Sequence, residues 1–288
     1  LSNKGGGRAI YVNNPAMFSA DYNMLYSSGP ELVRVATGTT TTFANLKAWN
    51  DMWNWDRTSI SFEPAFTAPN DLRPDLNNPD VWAMHGRGKQ IPGNNYDFDN
   101  NYRPQTLTEG VPDLGAYEFY PAVLPSALLA TPASPAPNTT QTFSYGTDTV
   151  MRINWGADVP TELTVRRYSG VVPHDLPAGL DSMYFYTQVE IPGGANYNYA
   201  AKLYYVGSWL GSIPGETRLG LGRTTASNAW VVGTNSKVDV GKKEISQEGM
   251  LYLDRFTGLI NEFSKPEDED SSSNRGKDFW VGYQRTNG

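Results

Sequence analysis

The chain has 288 residues, a net charge of −7 and no cysteine, which leaves no thiol catalysis, no cysteine-held zinc and no disulfide. An acidic chain without a basic stripe is a poor partner for a nucleic-acid backbone, and no apolar run approaches the roughly 20 residues of a membrane-spanning helix. Apolar residues at 39%, with 28 Gly, 20 Pro, 17 Tyr and 8 Trp, predict short strands and frequent turns, hence an all-β chain long enough for two domains.

Residues 1–120 carry closely spaced turn signals, among them Gly5-Gly-Gly7, Asn13-Asn-Pro15, Ser27-Ser-Gly-Pro30 and Pro92-Gly-Asn-Asn95. Brief apolar runs such as Ala9-Ile-Tyr-Val12 and Ser59-Ile-Ser-Phe62 lie between them, in the cadence of a β-solenoid. Within this stretch, residues 43–53 predict a helix capped by Thr41 or Thr42, because Phe43, Leu46, Trp49 and Trp53 recur at helical spacing. Residues 121–138 hold five prolines and read as a semi-rigid, Pro-rich linker between two separate cores. Residues 139–263 change to longer alternating strands: Glu162–Arg166, Met183–Ile191, Tyr197–Val206, Ala229–Val232 and Met250–Leu253. That pattern predicts an antiparallel β-sandwich. Residues 264–275 read as an acidic, Ser-rich linker, and residues 276–288 as the first strand of a following domain. With Leu1 at the start and no signal peptide in view, the chain reads as a piece of a longer polypeptide.

Five motifs in order carry a resemblance. Asp21-Tyr-Asn-Met-Leu-Tyr26 is similar to a "DYNxxY" rung, and Leu46-Lys-Ala-Trp49 with Asp56-Arg-Thr-Ser59 to an "LxxW…DxxS" insert. Glu63-Pro-Ala-Phe66 is similar to a "DPxF" step, and Tyr96 to Arg103 to a "DxDGxxR" turn. Val111-Pro-Asp-Leu-Gly-Ala-Tyr-Glu-Phe119 is similar to a closing "DIGAYE" rung. Together they resemble the last rungs of secreted right-handed parallel β-helices of bacterial surface proteins, adhesin-like and of the Bacteroidetes type. Asn100 stands where that pattern has Gly, and Glu63 where it has Asp. The resemblance implies a final strand over 111–119, with Leu114 and Ala116 on one face and Asp113, Gly115 and Tyr117 on the other. Gly115 would then permit close backbone approach. It also implies that Asp97 with Arg103 or Asp113 knits the last rungs together. Gly276-Lys-Asp-Phe-Trp-Val-Gly-Tyr283 resembles the opening strand of an IgG-Fc-binding-like adhesin domain.

Asp97, Asp99 and Asn101 put several oxygens on one turn, a set that suits calcium, although no EF-hand or repeat-in-toxin pattern surrounds them. The structural role is the favoured reading. Trp49, Trp53 and Trp209 are the candidate stacking residues for a glycan, against a core-packing role that the strand and helix periodicity favours. Asp71, Arg73, Asp75 and Asp80 could serve acid–base chemistry, but they lie among prolines and asparagines beside the closing rung. His85 and His174 have no second histidine at ligand spacing, and no Gly-x-Ser-x-Gly elbow is present.

The resulting expectation is a non-catalytic structural or adhesive segment of a large secreted cell-surface protein, binding a glycan, another cell-surface ligand or further subunits. The alternatives are a carbohydrate-active β-helix enzyme with its catalytic rungs upstream, a glycan-binding module on the sandwich, and a filament or surface-layer subunit.

Overall fold

The computed structural model describes residues 1–192 and 196–261. The acidic linker and the adhesin-like strand expected after residue 263 lie outside the described residues. The N-terminal region contains β1 (Ser2–Asn3), β2 (Ile10–Val12), β3 (Tyr26–Ser27), β4 (Val33–Thr37) and β5 (Thr39–Phe43). Helix α1 (Leu46–Trp53) and the hairpin β6 (Phe66–Ala68) and β7 (Asp71–Pro74) follow. From there come β8 (Leu129–Thr131), β9 (Thr140–Tyr145), β10 (Asp148–Trp155), β11 (Thr164–Ser169), β12 (Phe185–Glu190) and β13 (Tyr199–Tyr204). The last strands are β14 (Leu219–Thr224), β15 (Trp230–Val232), β16 (Lys237–Asp239), β17 (Glu244–Met250) and β18 (Arg255–Ile260). No helix among the described residues is long and apolar enough to cross a membrane.

The chain is all-β in character, as its turn-rich composition predicts. Stacked parallel rungs, however, are not shown. β1 pairs with β3 and β2 with β4 in parallel, over two and three residues, and Met24 bridges Ile60 in the same sense. β5 then folds back antiparallel on β4. The β-branched run Thr39–Thr42 favours this extended conformation, so these threonines form a strand instead of a cap. Helix α1 is capped by Asn45, whose side chain accepts from the Ala48 N–H at 3.0 Å, and it ends on Asn54 in the left-handed region. The segment 111–119 is also a correction: it forms no strand, and residues 110–114 are buried in sequence without alternation.

Two antiparallel sheets face one another in the C-terminal part, in the orders β16-β17-β13-β10-β9-β8 and β11-β12-β18-β14-β15. Met151, Ile153, Leu203 and Ile245 meet Val165, Phe185, Leu221 and Phe256 between them. All eight are at most 1% exposed, and each such side chain contributes about 1.5–3 kcal/mol by leaving water. Met183 completes this layer.

The Pro-rich segment does not separate two cores. Leu128 is buried within it, and β8 adds to the edge of the six-stranded sheet, where prolines after Thr131 interrupt no inner ladder. Met24, Ile60, Ala83, Met84, Val111 and Leu114 belong to the same apolar cluster as the sandwich interior. A smaller cluster around Trp49, with Leu25, Val33, Val35, Phe43 and Leu46, fills the N-terminal tip.

The seam is fixed by two glycines. Gly86 and Gly170 have φ of +54° and +73°, and a Cβ on Gly86 would lie 2.1 Å from the Gly170 Cα. Only two residues without side chains can cross here. Trp209 Nε1 donates to the Gly86 carbonyl at 2.6 Å, Gln90 Nε2 to the Ser208 carbonyl at 3.0 Å, and Tyr184 Oη to the Thr108 carbonyl at 2.9 Å.

Candidate functional site

The candidate calcium turn is a hydrogen-bonded staple. Asp97 Oδ1 accepts from the backbone N–H groups of Asp99 (2.9 Å) and Asn101 (2.7 Å). Its Oδ2 accepts from Asn101 Nδ2 (3.0 Å) and the Glu118 N–H (2.6 Å). Burial pushes the Asp97 carboxyl up, but these four donors outweigh it and hold the group below its ordinary value. Asp99 lies 3.6 Å from Arg73. Both Asp97 oxygens are thus taken by protein donors, and among the described residues no group of three His, Cys, Asp or Glu side chains could hold a metal ion. Asn101 enters this turn as a donor, through both its backbone N–H and its Nδ2.

Arg103, Asp113 and Glu118 form the neighbouring knot. Arg103 Nη1 donates to Glu118 Oε1 at 2.6 Å, and Nη2 to the Gly115 carbonyl at 2.9 Å. Asp113 accepts from the Gly86 N–H at 2.6 Å and the Phe119 N–H at 2.7 Å, bracing the seam from below. Burial, reinforced by the Asp113 carboxylate, pushes Glu118 up to about 8 against the pull of Arg103. Gly115 has a φ of +104° and open space where a Cβ would stand, so the turn requires glycine and no close approach does. Tyr117 packs edge-on against Phe98 and under the Arg73 guanidinium.

The tryptophans proposed for glycan stacking are mostly interior. Trp49 is 0% exposed and donates through Nε1 to the buried Asp56 at 2.9 Å, and Asp56 also accepts from Asn23 and Ser59. Trp53 is half-buried and stacks one face on Trp55 at 5.1 Å. Trp209 is 1% exposed, and its ring lies under Arg87 at 5.4 Å and Arg167 at 5.5 Å. Core packing therefore accounts for Trp49 and Trp209, which corrects their stacking role.

The acid–base candidates do not converge. Asp71 pairs with Arg73 at 3.5 Å on the β6–β7 hairpin, Asp75 caps the Asn77 N–H, and Asp80 accepts from Ser126 Oγ. His174 is exposed. His85 is buried among Trp82, Phe119 and Tyr120, with Nδ1 2.8 Å from Asp113 Oδ1 but outside hydrogen-bond alignment.

A cleft of about 900 Å³ opens between α1, the loop after it and the sandwich. Arg87 and Arg167 line its floor, and both are at least nine-tenths buried. Arg167 donates only to neutral acceptors: Thr187 Oγ1 at 2.7 Å, the Val150 carbonyl at 2.9 Å and the Tyr204 carbonyl at 3.2 Å. Burial, then the neighbouring Arg87, brings its guanidinium down to about 9. Asp148 lies 3.2 Å from Arg87 and is the floor's carboxylate, itself pushed up by burial against both arginines. At the rim Arg57 makes no ion pair among the described residues, while Lys47, Lys242 and Lys243 pair with Asp51, Asp239 and Glu216. The sequence reading missed this site. Its one signal was strand parity, which sets Arg167 on the same inward face of β11 as Val165.

Compared with known proteins, the chain matches no family model, no characterised protein and no solved structure.

Proposed function

We propose that this chain is a non-catalytic structural and adhesive segment of a secreted bacterial surface protein, in which residues 1–120 are the closing rungs of a right-handed parallel β-helix that abuts a β-sandwich. The observation that carries the reading is the continuous core across the seam, where residues from both regions share one apolar cluster. A joint of this kind transmits load without a hinge, since packed interiors deform little. The parallel pairings support the rung assignment: Ser2 with Tyr26 and Ile10 with Val33 pair segments separated by about one repeat of chain, the spacing of neighbouring coils in a solenoid. The dispersal of the carboxylates at Asp71, Asp75 and Asp80 supports the non-catalytic part, because hydrolysis needs an acid and a base held on opposite sides of one bond.

Two measurements test it. Antibodies to the segment should label intact producing cells, and labelling only after lysis would contradict the surface assignment. The purified segment should leave polysaccharides uncleaved, and turnover that disappears in Asp71→Ala or Asp75→Ala would make it an enzyme.

A further inference from the structure

The floor of the large cleft holds two buried guanidinium groups against one carboxylate. Charges removed from water are costly unless they are paired. Arg167 has only neutral hydrogen-bond partners, and the charge of Asp148 is shared between it and Arg87. The Arg87 Nε is buried and has no protein acceptor. Arg57 adds a further cation at the mouth that no described carboxylate neutralises. A positive cleft on a chain of net charge −7 is a local arrangement that composition does not supply.

The rest of the lining narrows the class of anion. Along the walls the Asn50 Oδ1 and the Thr149 hydroxyl have no partner among the described residues, while Asn50 Nδ2, Thr58 and Ser59 are held by the Trp55 carbonyl, Asp21 and Asp56, and Tyr204 adds half-buried ring surface. An inorganic anion needs neither this lining nor this volume, which falls in the range of sites for ligands of several rings, ~300–1,000 Å³. A nucleic acid would bring its whole phosphate chain against an acidic surface. Carboxylated sugars fit on both counts: one acid group per ring for the arginines, and hydroxyls for the amide and hydroxyl side chains.

From this juxtaposition we infer that the cleft between α1 and the sandwich binds an acidic saccharide, its carboxylate held by the Arg57, Arg87 and Arg167 charges and its hydroxyls by the neutral wall. The inference goes beyond the structural reading and does not depend on it, because the cleft is complete within this chain whether or not the parent protein is displayed on a cell surface.

Isothermal titration of the intact chain tests it with four probes: an oligogalacturonate, its fully methyl-esterified form, sodium sulfate and a single-stranded DNA oligomer. The esterified oligomer keeps the rings and removes the charge. Oligogalacturonate should bind at least ~10-fold more tightly than the ester, as expected when charge-assisted bonds are lost. Arg57→Ala, at an exposed position, should weaken that binding several-fold without changing the melting temperature. Asp148→Asn keeps the side-chain shape and removes the competing carboxylate, so it should tighten the binding. No binding of the acid oligomer, equal binding of the ester, or affinities unmoved by both variants would overturn the site. Sulfate binding as tight as the oligomer, or DNA binding tighter, would overturn the saccharide assignment.

Discussion

Replacing Gly170 by alanine tests the seam most sharply, because two separate costs can be worked out from its geometry. Its φ of +73° is a conformation that costs an L-residue about 1–2 kcal/mol. A Cβ there would also lie 2.6 Å from the Gly86 Cα and 3.2 Å from the Gly86 nitrogen. Both are backbone atoms, so no side-chain rotation relieves the overlap and the two segments must part. Parting them stretches the 2.6 Å bonds from Trp209 to the Gly86 carbonyl and from the Gly86 N–H to Asp113. Leaving one such buried group unsatisfied costs about 1–3 kcal/mol. The total comes to about 2–5 kcal/mol. Gly179→Ala is the control, since Gly179 has a φ of +83° but nothing within 4 Å of a Cβ, and it should show the conformational cost alone. Urea denaturation followed by tryptophan fluorescence should show a fall in midpoint at constant slope, larger for Gly170→Ala than for Gly179→Ala. A loss under about 1 kcal/mol for Gly170→Ala, or equal losses for the two variants, would refute the close-approach argument.

Asp97 and Glu118 should leave opposite signatures in the pH dependence of stability. The Asp97 carboxyl is lowered, so its contribution is present above the ordinary aspartate value and is lost as pH falls through the lower folded value. Asp97→Asn should flatten acid unfolding in that range and cost about 0.5–1.5 kcal/mol near neutrality, since solvent screens this partly exposed carboxylate, read from urea midpoints at several pH values. Glu118 is raised to about 8, so its contribution is complete below the ordinary glutamate value and disappears as pH rises through about 8. Glu118→Gln should therefore remove a decline in stability over that window, and an unchanged slope would contradict the assignment. Trp49→Phe opens space in the N-terminal cluster and takes one donor from the buried Asp56, and should cost about 2–4 kcal/mol in the same assay.

The sandwich was largely legible in the sequence, because alternation survives wherever one face of a strand is buried. The expected runs at Met183–Ile191 and Tyr197–Val206 contain β12 and β13. Met250–Leu253 was misplaced: apolar residues there join the ends of β17 and β18 and form no strand of their own. β8 was hidden because prolines argue against a strand unless it is an edge, and edge position is a property of the sheet. The closing segment 111–119 was misread because Asp113 and Glu118 bond backbone and arginine partners across turns, a long-range arrangement that leaves no period in the sequence. The cleft escaped for the same reason. Arg87 and Arg167 are far apart in the chain, and each follows or precedes a glycine of the Gly86–Gly170 crossing that brings both within reach of the Trp209 ring.

The central claim is that the N-terminal region and the sandwich share one core, and differential scanning calorimetry of the intact chain tests it most directly. A shared core unfolds all at once, so the account predicts one transition whose calorimetric and van't Hoff enthalpies agree. Two resolved transitions, with Gly170→Ala shifting only one of them, would contradict it and restore two independent domains joined through residues 121–138.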